Sequence, residues 1–307
     1  MLLEEVKKDL VERYAQRRDY HQAVAYAKVM EDINWRVLPV GESFLFEKLI
    51  GPFAIGKLQH PHVIELARIE EIRRRSRCTQ LFIEPGINSI YIDKGKKVEE
   101  PESLLKQLGY KETKTHHTYT KSFLIDLDKD ESALIASFSQ AVRRTLQRGH
   151  TTEYTFSSIP LNEVNLSTQE QFFTLYREWG KEKNVFGYPD AFMKSIMKHF
   201  GNTGFLCCAW KEKMLEAVIL LLCVNRVSYY FNAFSSREAR EEGIPTKLAI
   251  ESMKIAKQSG CDIYDFCSCF DERYPNENPR WKGFSEFKQR FHPTAVYYPV
   301  CYQKTSL

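Results

Sequence analysis

The segment WKGFSEFKQRFHP, Trp281 to Pro293, puts four aromatic residues, three Lys or Arg and one carboxylate into thirteen positions. Lys288 lies between Phe287 and Phe291, so packing could fix its stem while the ammonium meets negative charge. The same pattern also describes a lysine that snorkels from an amphipathic element with its charge solvated. Glu286 shares a side with Lys288 if the segment is extended. Upstream, CDIYDF places Asp262 and Asp265 at an odd separation, which a regular strand sends to opposite faces. Asp265, nearer the C-terminal end, is the better candidate proton acceptor, and could instead pair with Arg290 or cap a loop. In SFSQAVRRTLQRG, Arg144 and Arg148 stand four apart and share a helical face that could meet phosphates. Favourable charge at a helix C-terminus explains them equally well.

Composition narrows the classes. The chain has 307 residues with 44 Lys and Arg against 40 Asp and Glu, too mild an excess to indicate nucleic acid by itself. Its length suits two domains. Eight cysteines are scattered without the spacing of a zinc knuckle or a redox loop, and Cys267-x-Cys269 has no second pair. A chain of free thiols in a reducing, cytoplasmic compartment is expected, with no metal ligands. The N-terminal MLLEEVKKDLVERY is charged and lacks the apolar core of a secretion signal. The longest apolar run, Ala217 to Val224, is far short of a bilayer span and reads as a buried strand.

The elements that must position these residues follow from periodicity and turn signals. Residues 1–30 are helical; WRVLPV and SFLFEKLI are strands around Gly41, and HVIELARIEEIRRRSRC is an amphipathic helix. CTQLFIE is a strand stopped by Pro85-Gly86, and ESLLKQLGY a helix closed by Gly109. After a boundary near residue 120, SFLIDLD is a strand and Asp130 caps one helix running to Gly149. The strand TEYTFSSI and two more helices follow, then the hairpin GFLCCAWKE–MLEAVILLLCV, the strand RVSYYFNAF, a helix from Ile244 to Gly260, CDIYDFC, and TAVYYPV as the last strand. The fold class is α/β (α+β), with residues 1–120 and 121–307 as two domains.

The order matches the acyl-CoA N-acyltransferase (GNAT) plan. The chain resembles the FemABX peptidoglycan bridge-forming aminoacyltransferases through NWRV, IGPF, FIEPG, LLKQLGYKET, SFSQAVRRTLQRG, FFTLYREWGKEKNVF, SYYFNAFSS, IPTKLAIESMKIAKQSGCDIYDF and WKGFSEFKQRF. The resemblance covers about 280 residues by order and spacing, and lacks the helical hairpin that some members insert. It implies two GNAT-like domains in tandem, the first degenerate and acceptor-binding, the second catalytic. It implies a monomer that moves an amino acid from aminoacyl-tRNA to an amine of a UDP-linked or lipid-linked muropeptide, with possible peripheral contact with a membrane. No tightly bound cofactor is implied.

In that setting Phe287-Lys288 looks like the family's pair whose lysine stabilises the oxyanion of acyl transfer. Arg36 resembles the basic residue that meets precursor phosphates. Lys183 stands where relatives carry arginine, and Tyr230, with Asn232 sharing its face, resembles cleft tyrosines. The GNAT pyrophosphate loop would be Arg240-Glu-Glu-Gly243-Ile-Pro245. There Glu241, Glu242 and the missing Pro245 amide depart from the CoA-binding pattern, which makes acyl-CoA the alternative donor. A catalytically silent binding protein on the same fold is the third reading.

Overall fold

The computed structural model describes residues 2–148, 153–185 and 187–305. Gly149, expected to end a helix, and Phe186 of the KEKNVF motif lie outside them. Strands β1 (Arg36–Val40), β2 (Ser43–Ile50), β3 (Phe53–Gln59), β4 (Val63–Glu65), β5 (Cys78–Glu84), β6 (Ile90–Asp93), β7 (Lys96–Lys97) and β8 (Lys111–Thr113) precede residue 120. Strands β9 (Lys121–Asp126), β10 (Tyr154–Pro160), β11 (Gly204–Lys211), β12 (Met214–Val224), β13 (Val227–Ser235), β14 (Ile263–Asp265), β15 (Thr294–Tyr297) and β16 (Cys301–Thr305) follow it. The first sheet has the order β1-β2-β3-β5-β16-β8, the second β10-β11-β12-β13-β14-β9-β15, and β4, β6 and β7 make a small third. Both large sheets mix parallel and antiparallel pairs. The strands of the first large sheet precede residue 120 and those of the second follow it, with one exception. Strand β16, unforeseen from the sequence, returns to lie between β5 and β8 of the first sheet.

Helices α1 (Leu2–Ala15), α2 (Val24–Asp32), α3 (Leu66–Arg75) and α4 (Pro101–Gln107) precede residue 120 in sequence, although α1 packs on β9 and β15. Helices α5 (Glu131–Ser137), α6 (Gln140–Gln147), α7 (Leu166–Lys183), α8 (Asp190–His199), α9 (Arg237–Glu241), α10 (Ile244–Gln258) and α11 (Trp281–Gln289) follow residue 120. The single helix expected from Glu131 to Gly149 is two. Phe138 is extended and buried, and Ser139 starts α6 by accepting from the Val142 amide. Helix α7 is capped by Asn165, whose side-chain oxygen accepts from the Thr168 amide. Asp130 and Gly109 do what their types predict: the carboxylate accepts from Ala133 N, and the glycine takes φ +86° past α4.

Register decides which side chains meet at the junction. Phe46 pairs with Lys57, Lys57 with Phe82, and Gln59 with Glu84, so these share one face of the first sheet. That face joins the core in which Tyr20, Tyr26, Phe46, Phe172, Phe192, Leu206 and Tyr229 pack together, drawn from both halves of the chain. The opposite face, with Leu45, Leu58, Leu81 and Ile83, packs a separate core with Ile69 of α3. Helix α2 is tied across the junction by Asp32, whose carboxylate accepts from Ser195 (2.9 Å), Lys198 (3.1 Å) and His199 (2.9 Å) of α8.

Candidate active site

The middle of the second sheet opens. Strands β13 and β14 run parallel and pair only at Val227–Tyr229 with Ile263–Asp265, after which they diverge. On the β13 side, a bulge sets Leu220 opposite Asn232 and Leu221 opposite Tyr230, leaving Phe231 as the extra residue. This corrects the expectation that Tyr230 and Asn232 share a face. Tyr230 packs with Tyr264 and Phe266, and Asn232 turns the other way, toward Met193 of α8. No two-residue alternation could have shown this.

On the β14 side the chain leaves the strand through Cys267 and Ser268, both at positive φ (+53° and +27°). Such non-glycine geometry costs energy and collects at functional sites. It turns the carbonyls of Cys267 and Ser268 to Lys288 Nζ, each at 2.9 Å. The Trp281 segment is helical, so it is α11 that carries Lys288 inward, 6% exposed, with its ammonium 5.9 Å from the Tyr230 ring. Phe287 packs edge-on against Phe291, which fixes the helix over Phe266. Two of the three ammonium donors are taken by carbonyls, and the third has no protein acceptor among the described residues. Glu286, two residues back along a helix, is exposed on another side, so the shared face expected for an extended segment is absent.

Asp265 closes the narrow end of the opening. It is fully buried and accepts from Tyr14 Oη (2.5 Å), Cys267 N (2.7 Å) and the Ser122 hydroxyl, capping the loop rather than pairing with Arg290. Burial pushes its carboxyl up to about 6, with those hydrogen bonds opposing. Tyr14 continues to Tyr298 (2.7 Å), whose ring stacks on His60 at 3.8 Å. A polar chain thus runs from the Lys288 loop into the domain junction. Sequence reasoning missed Tyr14, Tyr298 and His60, which lie more than 200 residues apart in part and follow no motif.

The remaining expected residues fall into three groups. Lys183 and Arg240 do come together: Lys183 pairs with Glu182 at 3.1 Å, and Arg240 binds both the Glu182 carboxylate and the Ser235 carbonyl. Gly243 takes φ +74° ahead of α10, and a Cβ there would stand 2.7 Å from Thr145 Cγ2. With Arg240 committed, the Thr246 amide bonded to Gly243 O and no amide at Pro245, this turn offers an anion few donors. Arg144 and Arg148 are exposed, but Arg148 lies past the end of α6 with an extended backbone, so the shared helical face is lost at its last member.

Arg36 does not face the junction. It is cross-strand partner to Glu47, on the sheet face away from the junction, and its guanidinium lies 3.4 Å from that buried carboxylate. Lys57 instead carries positive charge on the inner face, 4.6 Å from the Trp35 ring and held down to about 8 by desolvation, with Glu84 opposing. Arg36→Gln should therefore leave the acceptor KM within about twofold while costing about 1–3 kcal/mol of stability, because Glu47 loses its cation. Steady-state kinetics beside urea melts check both.

Comparison with known proteins agrees with this architecture. The acetyltransferase (GNAT) domain family matches residues 132–282. Curated proteins yield no match by sequence. Among solved structures, FemX superposes with a TM-score of 0.75 at 14% identity, over 98% of this chain and 96% of that one. The C-terminal domain assigned to a lysylphosphatidylglycerol synthetase of Agrobacterium fabrum gives 0.63 at 14% identity, over 98% and 91%. A tandem GNAT protein from the clavulanic acid biosynthesis pathway gives 0.53 at 12% identity, over 88% and 81%. The chain therefore has the FemX fold, two GNAT-like domains in tandem, which is the architecture that its resemblance to the FemABX proteins implies.

Proposed function

We propose that this protein moves an amino acid from aminoacyl-tRNA to an amine of a peptidoglycan precursor, with Lys288 holding the oxyanion of the tetrahedral intermediate. The acceptor nitrogen attacks the ester carbonyl carbon; the C–N bond forms as the carbonyl electrons move to oxygen. That oxygen lies against the free donor of Lys288. Collapse breaks the ester C–O bond, and the departing ribose oxygen takes up the proton that the amine loses. Asp265 is sealed by three donors and reaches no substrate, so its part is to position the loop that holds Lys288. Glu286 faces solvent and takes no part. The single observation behind the reading is a buried ammonium fixed on two carbonyls at the mouth of a splayed sheet, with one donor to spare.

The acyl-CoA alternative keeps the chemistry and changes the leaving group to a thiolate. The committed Arg240 and the poor donor set before α10 favour tRNA over CoA. The division of labour, residues 1–120 holding the acceptor and 121–307 the donor, belongs to the same proposal, as do a monomeric state and action in the cytoplasm. No helix among the described residues is long and apolar enough to cross a membrane. The deciding assay offers UDP-linked muropeptide with charged tRNAs in one arm and acyl-CoAs in another, and follows mass added to the acceptor. Product with tRNA alone is expected. Product from CoA alone would overturn the donor, and none from either would leave the silent binding protein.

A further inference from the structure

We propose that Asp19, His21 and His60 form a site for one divalent transition-metal ion, with zinc chemistry, that staples the N-terminal segment to the first sheet at the domain junction. The three residues are buried, at 7%, 4% and 4% exposure, and one ligand atom from each lies within 4.8 Å of the others. His60 Nδ1 is 3.4 Å from Asp19 Oδ2, close to the separation of about 3.3 Å between ligands that tetrahedral zinc imposes. His21 Nδ1 is 2.6 Å from Asp19 Oδ1, a hydrogen-bond distance that would open by less than about 1 Å to admit an ion between them.

Both imidazoles are already fixed. His60 is stacked on Tyr298, and His21 is stacked on Tyr20 at 4.0 Å. His21 Nε2 lies 3.4 Å from Thr118 Oγ1, the outer partner that a ligating histidine commonly keeps. Two imidazoles and one carboxylate with an open position are a donor set that suits zinc and its neighbours in the first transition row. The open side meets a cavity of about 20 Å³ lined by Tyr14, His62 and Tyr298 as well as Asp19 and His60. That volume fits about one water-sized ligand and no organic substrate. Arg17, which also borders the cavity, is engaged by Asp262 at 3.1 Å.

The ligands also join separate parts of the molecule. Asp19 and His21 follow α1, which packs on β9 and β15 of the second sheet, whereas His60 comes directly after β3 of the first. An ion here would cross-link the two, and its binding energy would add to folding.

The test uses the full chain stripped with a chelator and titrated with Co²⁺, then Zn²⁺. About one Co²⁺ per chain is expected, with visible d–d absorption that Zn²⁺ displaces, and Zn²⁺ should raise Tm by several degrees. His60→Asn, which keeps a donor toward Asp19, and Asp19→Asn should both lose the absorption and the Tm rise while keeping a native circular dichroism spectrum. His116→Ala, at a histidine bound to Glu277 elsewhere, should keep both. Failure to bind either ion, or binding that survives His60→Asn, would overturn the site and leave a carboxylate shared between two imidazoles. None of these readouts uses acyl transfer, so the result is independent of the proposed reaction.

Discussion

Lys288→Met is expected to lower the rate of acyl transfer by about 10²–10³-fold, with the acceptor KM changed far less. Removing one preorganised donor from an oxyanion costs about 3–4 kcal/mol of transition-state stabilisation. The ground-state substrate carries no such charge, which is why the loss falls on kcat. Lys288→Arg should not restore the rate. A planar guanidinium cannot hold the Cys267 and Ser268 carbonyls, each 2.9 Å from one nitrogen, and keep a donor at the same point. Methionine also leaves those carbonyls without their donor, at about 1–3 kcal/mol of stability. Urea melts and single-turnover rates on the same samples separate the two costs. A folded Lys288→Met protein retaining more than about a tenth of the rate would end the oxyanion assignment.

Asp265→Asn should change how stability depends on pH. The folded carboxyl titrates at about 6, above the value near 4 of an unfolded aspartate. Between those values the folded chain binds more protons than the unfolded one. Its stabilising contribution is therefore complete below about pH 4 and is lost as pH rises through 6, by about 3 kcal/mol. Asparagine cannot titrate, and its amide group meets Tyr14, Ser122 and the Cys267 amide with one donor too many. Wild type should exceed Asp265→Asn most at pH 4, with the gap closing toward pH 7. A gap independent of pH, measured by urea melts across that range, would show that Asp265 does not titrate there.

Local signals in the sequence carried the elements well. Asp130, Gly109, Gly243 and Pro245 stand where caps and turns need their types, and the apolar run at 217–224 is the buried strand β12. What failed was long-range or irregular. Arg36 and Lys57 are both cations on strands of the first sheet, and only cross-strand register decides which faces the junction. One extra residue in β13 reversed the relation of Tyr230 to Asn232. Glu286 lost its place because a helix, not a strand, carries Lys288. Asp19, His21 and His60 form no motif, since 38 residues separate the histidines and a turn of the fold unites them. The resemblance offered Phe287 and Lys288 and did not offer the polar chain through Tyr14 and Tyr298.

The return of β16 into the first sheet ties the order of synthesis to the order of folding. Strand β5 can pair with β3 early, but it meets its second neighbour only after residues 302–305 have been made, more than 200 positions later. Until then the first sheet carries a gap with two unprotected edges, a template for pairing with other nascent chains. A protein clipped near residue 298 should show faster amide hydrogen exchange in β5 and β8, the two strands that lose a partner.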